Sequence, residues 1–343
     1  MLARFMHARE RKYAFHDNNR HVRPFEWGTE FLDGEARDRA EDPRALLRTH
    51  TERVMRESAD FFALPPVTDY VFKDNCLTWT SALTTPTPEN NTVRAQFFPA
   101  PPGKHDDRRR AVIVLPQWNA DAASHVSLCR LLARLGVATL RLTLPYHEGR
   151  RPRSMERAEH LVSANIGRTI QSVRQAVLDA RGAAGWLKEH GYEQIGILGT
   201  SIGSCVAFLA FAHDAHIGVG VFNHVSSYFA DVVWRGLSTR HVRAGFGDEL
   251  TLDELRKYWL PISPYPYAEQ LLDLRPERPM RFISARYDLT FLPELSRQVI
   301  AEVKRLGLPL DVAWLRCGHY TLGEAPWKFI DGWKIATFFR RHL

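Results

Sequence analysis

Three polar side chains, each just past an apolar run, carry the chemistry of this sequence: Ser201 in GILGTSIGS, Asp288 in ARYD and His319 in CGHYT. A serine hydroxyl is a weak nucleophile until a neighbouring base takes its proton. That base, if an imidazole, needs a carboxylate to orient it and stabilise its charged form. Gly199-Thr200-Ser201-Ile202-Gly203 matches G-x-S-x-G, a sharp strand-to-helix turn on which the serine takes a strained backbone geometry and small neighbours relieve crowding. A helix starting there directs its N–H groups and positive dipole end towards developing negative charge. The same glycines would also suit plain close packing of strand against helix. Asp288 and His319 weigh against that reading, because they follow two later apolar runs in the order serine, aspartate, histidine.

Acyl transfer through Ser201 also needs donors for the oxyanion of a tetrahedral intermediate. The backbone N–H of Ile202 is one. The loop LPQWNAD offers the other at Trp118, or at Gln117, although Trp118 could equally be a hydrophobic plug above a sheet. Tyr146, His147 and Arg150 follow another apolar run and either line a pocket or stand in solvent. His224 competes for the role of base, but it precedes Asp288 in the chain, and the order favours His319, which leaves His224 as a candidate substrate contact. Cys205 and Cys317 read as small buried side chains. In SSYFADVVWRGLSTRHVRAGF, Trp234, Arg235 and Arg240 either present a basic, aromatic surface to a substrate carboxylate or phosphate, or form a solvated face.

Positioning these groups takes a regular scaffold. AVIVLP, VATLRLTLP, QIGILG, HIGVGVFNH, MRFISA and LDVAWLR read as strands, and amphipathic or apolar helices alternate with them. Near-continuous apolar strands between helices predict a doubly wound, mostly parallel α/β sheet covered on both faces. Ligands then sit at the carboxyl ends of the strands, where Ser201, Asp288 and His319 fall. KDNCLTWTSAL and NTVRAQFFPA predict an antiparallel pair at the sheet edge, and residues 99–110 a polar, proline-rich loop. A helix is expected over residues 43–64. The division expected is a basic, partly helical N-terminal extension (1–75), a core (76–224 and 279–343) and an inserted cap or lid (225–278).

Composition narrows the classes. With 343 residues, 45% of them hydrophobic and 25% charged, the chain can bury a sizeable core. Its net charge of +7 comes from 46 basic against 39 interleaved acidic residues, a pattern closer to a mixed surface than to a nucleic-acid footprint. No metal-ligand spacing, phosphate loop or dinucleotide fingerprint occurs, so neither metal nor organic cofactor is expected. The widely spaced Cys76, Cys129, Cys205 and Cys317 suggest a reducing, cytoplasmic setting. Neither a secretory signal nor a membrane span is expected; peripheral contact with a membrane surface stays open.

On GTSIG, ARYD and CGHYT the chain resembles the α/β-hydrolase superfamily, over about residues 75–343. LPQWNAD, LPYHEGRRP and WRGLSTRHVR resemble an esterase-like branch of abhydrolase-domain proteins. The resemblance implies a serine hydrolase acting without metal or cofactor. The activity expected is cleavage of a carboxylic ester, lipid esters and thioesters included, through an acyl-enzyme. A catalytically silent scaffold that binds partners, and an acyltransferase using the same triad, stay open as alternatives. Acyl length, leaving group and oligomeric state are not legible.

Overall fold

The computed structural model describes residues 2–16, 20–32, 42–101, 109–274 and 277–343. Most of the expected loop at 99–110 lies outside the described residues. Among them the strands are β1 (Val71–Lys73), β2 (Cys76–Thr80), β3 (Thr92–Phe98), β4 (Arg110–Leu115), β5 (Ala138–Leu142), β6 (Gln194–Thr200), β7 (Ile217–Asn223), β8 (Met280–Ala285) and β9 (Leu310–Leu315). They form one sheet in the order β1-β2-β3-β5-β4-β6-β7-β8-β9. The first part, β1 to β3 and on to β5, pairs antiparallel; everything from β5 across to β9 is parallel.

The helices are α1 (Leu2–His16), α2 (Pro43–Arg56), α3 (Ser58–Phe61), α4 (Val126–Arg134), α5 (Ile166–Glu189), α6 (Ile202–His213), α7 (Phe229–Arg235), α8 (Arg240–Phe246), α9 (Leu252–Tyr258), α10 (Gln270–Leu274), α11 (Pro293–Arg305) and α12 (Trp327–His342). Side chains alternate across a strand, and β4 makes the layers plain. Ala111, Ile113 and Leu115 join the core with α5, α6 and α11, whereas Val112 and Val114 join the opposite core with α4 and α12. The α6 helix is apolar all round because it is central: every residue from Ile202 to Ala212 is buried.

The central strands run parallel, so their carboxyl ends share one edge. Gln117 and Trp118 follow β4, Tyr146 follows β5, Ser201 follows β6, His224 follows β7, Asp288 follows β8 and His319 follows β9. Between β7 and β8, the described part of residues 225–278 is helical, α7 to α10, with short 3-10 turns and no strand. The N-terminal segment packs onto the same body: Leu32, Leu47, Val54, Phe61 and Phe62 enter the core on the α5 and α6 side, and Met6 enters the other. Strand β1, absent from the sequence reading, is short and exposed at every residue, so it carries no alternation to read. No described helix is long and apolar enough to cross a membrane.

Candidate active site

Ser201 caps α6 with backbone angles of φ 58° and ψ −124°, a conformation that costs an L-residue on the order of 1–3 kcal/mol. Gly199 and Gly203 make it possible. A Cβ on Gly199 would collide with the backbone of Gly203 and Ser204, and one on Gly203 with the carbonyls of Leu115 and Pro116. Close packing and the strained serine are therefore one feature. The Ser201 N–H donates to Asn223 O at 2.9 Å, and Ser204 Oγ donates to Ser201 O at 2.6 Å. Thr200 Oγ1 lies 2.9 Å from Nε2 of His125, a half-buried histidine whose pKa desolvation lowers to about 4.

Ser201 Oγ lies 3.1 Å from His319 Nε2, and His319 Nδ1 lies 3.0 Å from Asp288 Oδ2. With Nδ1–H donated to the carboxylate, Nε2 is free to accept the serine proton. Asp288 Oδ1 accepts the N–H groups of Thr290 at 2.7 Å and Phe291 at 2.8 Å. The Phe291 ring stacks on His319, with centroids 5.4 Å and planes 4° apart. Burial works to raise the Asp288 pKa, but the charge of His319 and the contacts from His224 and His319 prevail and hold it well below the usual carboxylate range. Burial likewise works to lower His319, yet Asp288 and Glu10 together raise it above the ordinary histidine value. The carboxylate stays ionised, and the imidazole is a stronger base than a free one.

His224 approaches the same carboxylate beside His319, the two ring centroids 5.0 Å apart. Its Nδ1 is 3.1 Å from the same Oδ2, without the alignment of a good hydrogen bond. Burial lowers its pKa against the pull of Asp288. His224, Asp288 and His319 are the grouping among the described residues whose ligand atoms lie close enough, within 4.8 Å, to hold a metal. Both Nδ1 atoms already face the carboxylate, and that pairing accounts for the cluster.

Ile202 opens α6, so its N–H has no acceptor within the helix. The first turn of α6 abuts the end of β4, as the close approach of Gly203 to Leu115 and Pro116 shows, and Gln117 and Trp118 follow directly in the chain. That loop is locked from behind. Trp118 Nε1 donates to Ala158 O at 2.9 Å, the Ala158 N–H donates to Asn119 Oδ1 at 2.8 Å, and the Asn119 N–H donates to His147 Nε2 at 2.8 Å. The Trp118 indole stacks on His241 of α8. Gln117 turns its side chain to Ser124.

The other expected substrate contacts have partners of their own. His147, buried and lowered by desolvation to about 4, is a strut of the Trp118 loop. Tyr146 is buried, donates its N–H to Asn90 Oδ1 and meets His160 edge to face. Arg150 is buried in an ion pair with Asp179 at 2.8 Å. Arg235 pairs with Glu294 at 2.6 Å, Arg240 lies over the Phe15 ring, and Trp234 packs between Phe246 and Arg243. Desolvation raises the pKa of both Cys205, to about 12, and Cys317, which suits buried, unreactive thiols. Sequence reasoning missed Glu10. The signal was available: Met6, Glu10 and Ala14 share the buried face of α1 at helical spacing, which puts a carboxylate in an apolar stripe.

No family model matches the chain, and no curated protein matches it in sequence. Solved structures do match in fold. The acylaminoacyl peptidase of Pyrococcus horikoshii superposes with a TM-score of 0.60 at 14% identity, over 86% of this chain and 44% of that one. An acetyl xylan esterase from a Thermoanaerobacterium species gives 0.61 at 13% identity, over 88% of this chain and 99% of that one. A Pyrococcus furiosus esterase gives 0.52 at 17% identity, over 82% and 99%. The chain thus spans less than half the length of the peptidase it matches and nearly the whole of either esterase.

Proposed function

We propose that this chain, which has the α/β-hydrolase fold, is a serine hydrolase cleaving carboxylic esters, lipid esters and thioesters among them, through an acyl-enzyme. The observation that carries this reading is the run of contacts from a strained Ser201 through His319 to Asp288, at 3.1 and 3.0 Å. In the first half-reaction Ser201 Oγ attacks the carbonyl carbon while its proton passes to His319 Nε2. Asp288 stabilises the imidazolium, and the N–H groups of Ile202 and of Trp118, or Gln117, hold the oxyanion. As the intermediate collapses, the bond to the leaving oxygen breaks and His319 returns the proton to the departing alcohol. Water, deprotonated by His319, then attacks the acyl-serine; the bond to Ser201 Oγ breaks, His319 returns the proton to that oxygen, and the acid is freed.

The buried location of the site and its helical cover lead us to assign residues 225–278 as a cap and residues 1–75 as an extension closing one side. The free cysteines suit a reducing compartment such as the cytoplasm. Fold relatives are named both for ester and for peptide cleavage, and the same acyl-enzyme route serves both bonds. A panel of p-nitrophenyl esters of rising acyl length, beside acylaminoacyl p-nitroanilides, separates the two classes. Ester turnover abolished by Ser201→Ala is the expected result. Turnover surviving in that variant, or confined to the anilides, contradicts the reading.

A further inference from the structure

The loop that presents His319 is folded around a carboxylate from the other end of the chain. Glu10 of α1 is fully buried. Its Oε2 accepts the Tyr320 N–H at 3.0 Å, and its Oε1 accepts the Thr321 N–H and the Thr321 hydroxyl, both at 2.9 Å. Thr321 Oγ1 in turn accepts the Gly318 N–H at 2.8 Å. Backbone groups on both sides of His319 are therefore tied, directly or through Thr321, to one carboxylate. The fit leaves no slack, since a Cβ on Gly318 would collide with the Glu10 carboxyl.

Around this contact the helix is fastened at several points. Arg9 pairs with Glu324 at 2.7 Å, Tyr13 donates to the same carboxylate, and His7 meets the Tyr287 ring edge to face. Just beyond α1, Arg20 donates to Tyr320 Oη at 2.8 Å and to Ser238 O at 2.7 Å. Burying an anion is costly unless donors satisfy it, and an apolar residue would pack α1 against the loop without that cost. What an apolar residue lacks is hydrogen-bond reach to Tyr320 and Thr321, and a negative charge close to an imidazole.

We propose that Glu10 is a positioning residue for His319, fixing the loop that carries the base and, with Asp288, stabilising the imidazolium formed during acyl transfer. The inference rests on the serine hydrolase reading. The groups facing His319 are Asp288 from the loop after β8, His224 from the end of β7, Glu10 from α1, and Cys317 and Tyr320 from its own loop, with Arg20 reaching Tyr320. Of these, Asp288 and Glu10 raise the histidine. Removing the Glu10 charge then lets the base stay neutral to lower pH.

The test uses the full-length chain and a short p-nitrophenyl ester. Glu10→Gln removes the charge and turns an amide N–H2 group towards the N–H donors of the loop. It is expected to lower kcat by about tenfold to a hundredfold, the scale of a misplaced catalytic group, with KM changed less than about twofold. The acid limb of kcat/KM is expected to move to lower pH, and Glu10→Asp to restore that limb at least in part. Gly318→Ala, which expels the carboxyl without altering α1, is expected to give the same signature; in a Glu10→Ala background it adds no further loss. It carries the test if Glu10→Gln does not fold. A wild-type rate, or a lowered rate with the acid limb unmoved, overturns the inference. If Ser201→Ala keeps the esterase rate, the reading beneath it and this inference fall together; if only the Glu10 variants behave as wild type, this inference fails alone.

Discussion

At the scale of single residues, the site is a charge relation set by burial. Asp288 keeps its charge because two backbone N–H groups and two imidazoles face it, and it raises His319 in turn. The sign follows directly. A base with a raised pKa is protonated over a wider range, so the acid limb of kcat/KM is expected above the ordinary histidine value of about 6.5. For stability, the same raised pKa contributes most below about 6.5 and is lost as pH rises through the folded value. Asp288→Asn is expected to lower kcat by about 10³- to 10⁴-fold by misorienting the imidazole, and to move the acid limb downward; pH–rate profiles of both proteins check this. Ser201, Asp288 and His319 were legible because their types, order and place after apolar runs restrict one another. The partners of Arg235, Arg240 and His147 were not, because Glu294, Phe15 and Asn119 lie far from them in sequence.

At the scale of elements, the turn from β6 into α6 has no room for an added Cβ. Gly203→Ala sets a methyl group against the carbonyls of Leu115 and Pro116, and backbone cannot yield as a flexible side chain does. A loss of about 1–3 kcal/mol or more is expected, read as a lower denaturant midpoint, with activity falling further because the loop proposed to supply the second oxyanion donor is displaced. Beneath the same turn, Asn223 Nδ2 donates to Asp331 Oδ2 of α12 at 2.8 Å. Burial raises the Asp331 pKa to about 7. The folded state therefore holds its proton to higher pH than the unfolded chain does, and stability falls as pH rises from about 4 through 7, by on the order of 1 kcal/mol per pH unit at most. Asp331→Asn is expected to flatten that slope in thermal unfolding followed from pH 5 to 8. The parallel strands and their helices were readable from apolar runs and helical spacing; β1 was not, since its residues are exposed and gain their structure only by pairing with β2.

At the scale of the whole molecule, distant segments meet over the carboxyl edge of the sheet. Residues before position 33 reach the histidine loop and the α7–α8 region through Glu10 and Arg20. The Ser238 hydroxyl lies 2.7 Å from both Thr290 Oγ1 and Tyr320 Oη, and Leu237 donates its N–H to Leu289 O. Such long-range closure is what periodicity cannot report. The loop after β5 is held to α5 by the buried Arg150–Asp179 pair. Arg150→Met leaves that carboxylate without its cation, and a loss of about 3–5 kcal/mol is expected in chemical denaturation. The central claim is that one strained serine, served by His319, is the nucleophile. Intact-mass analysis after exposure to a fluorophosphonate tests it most directly. A single adduct that maps to Ser201, and its absence in Ser201→Ala, is the predicted result; an adduct that persists in that variant, or maps to another residue, would contradict the account.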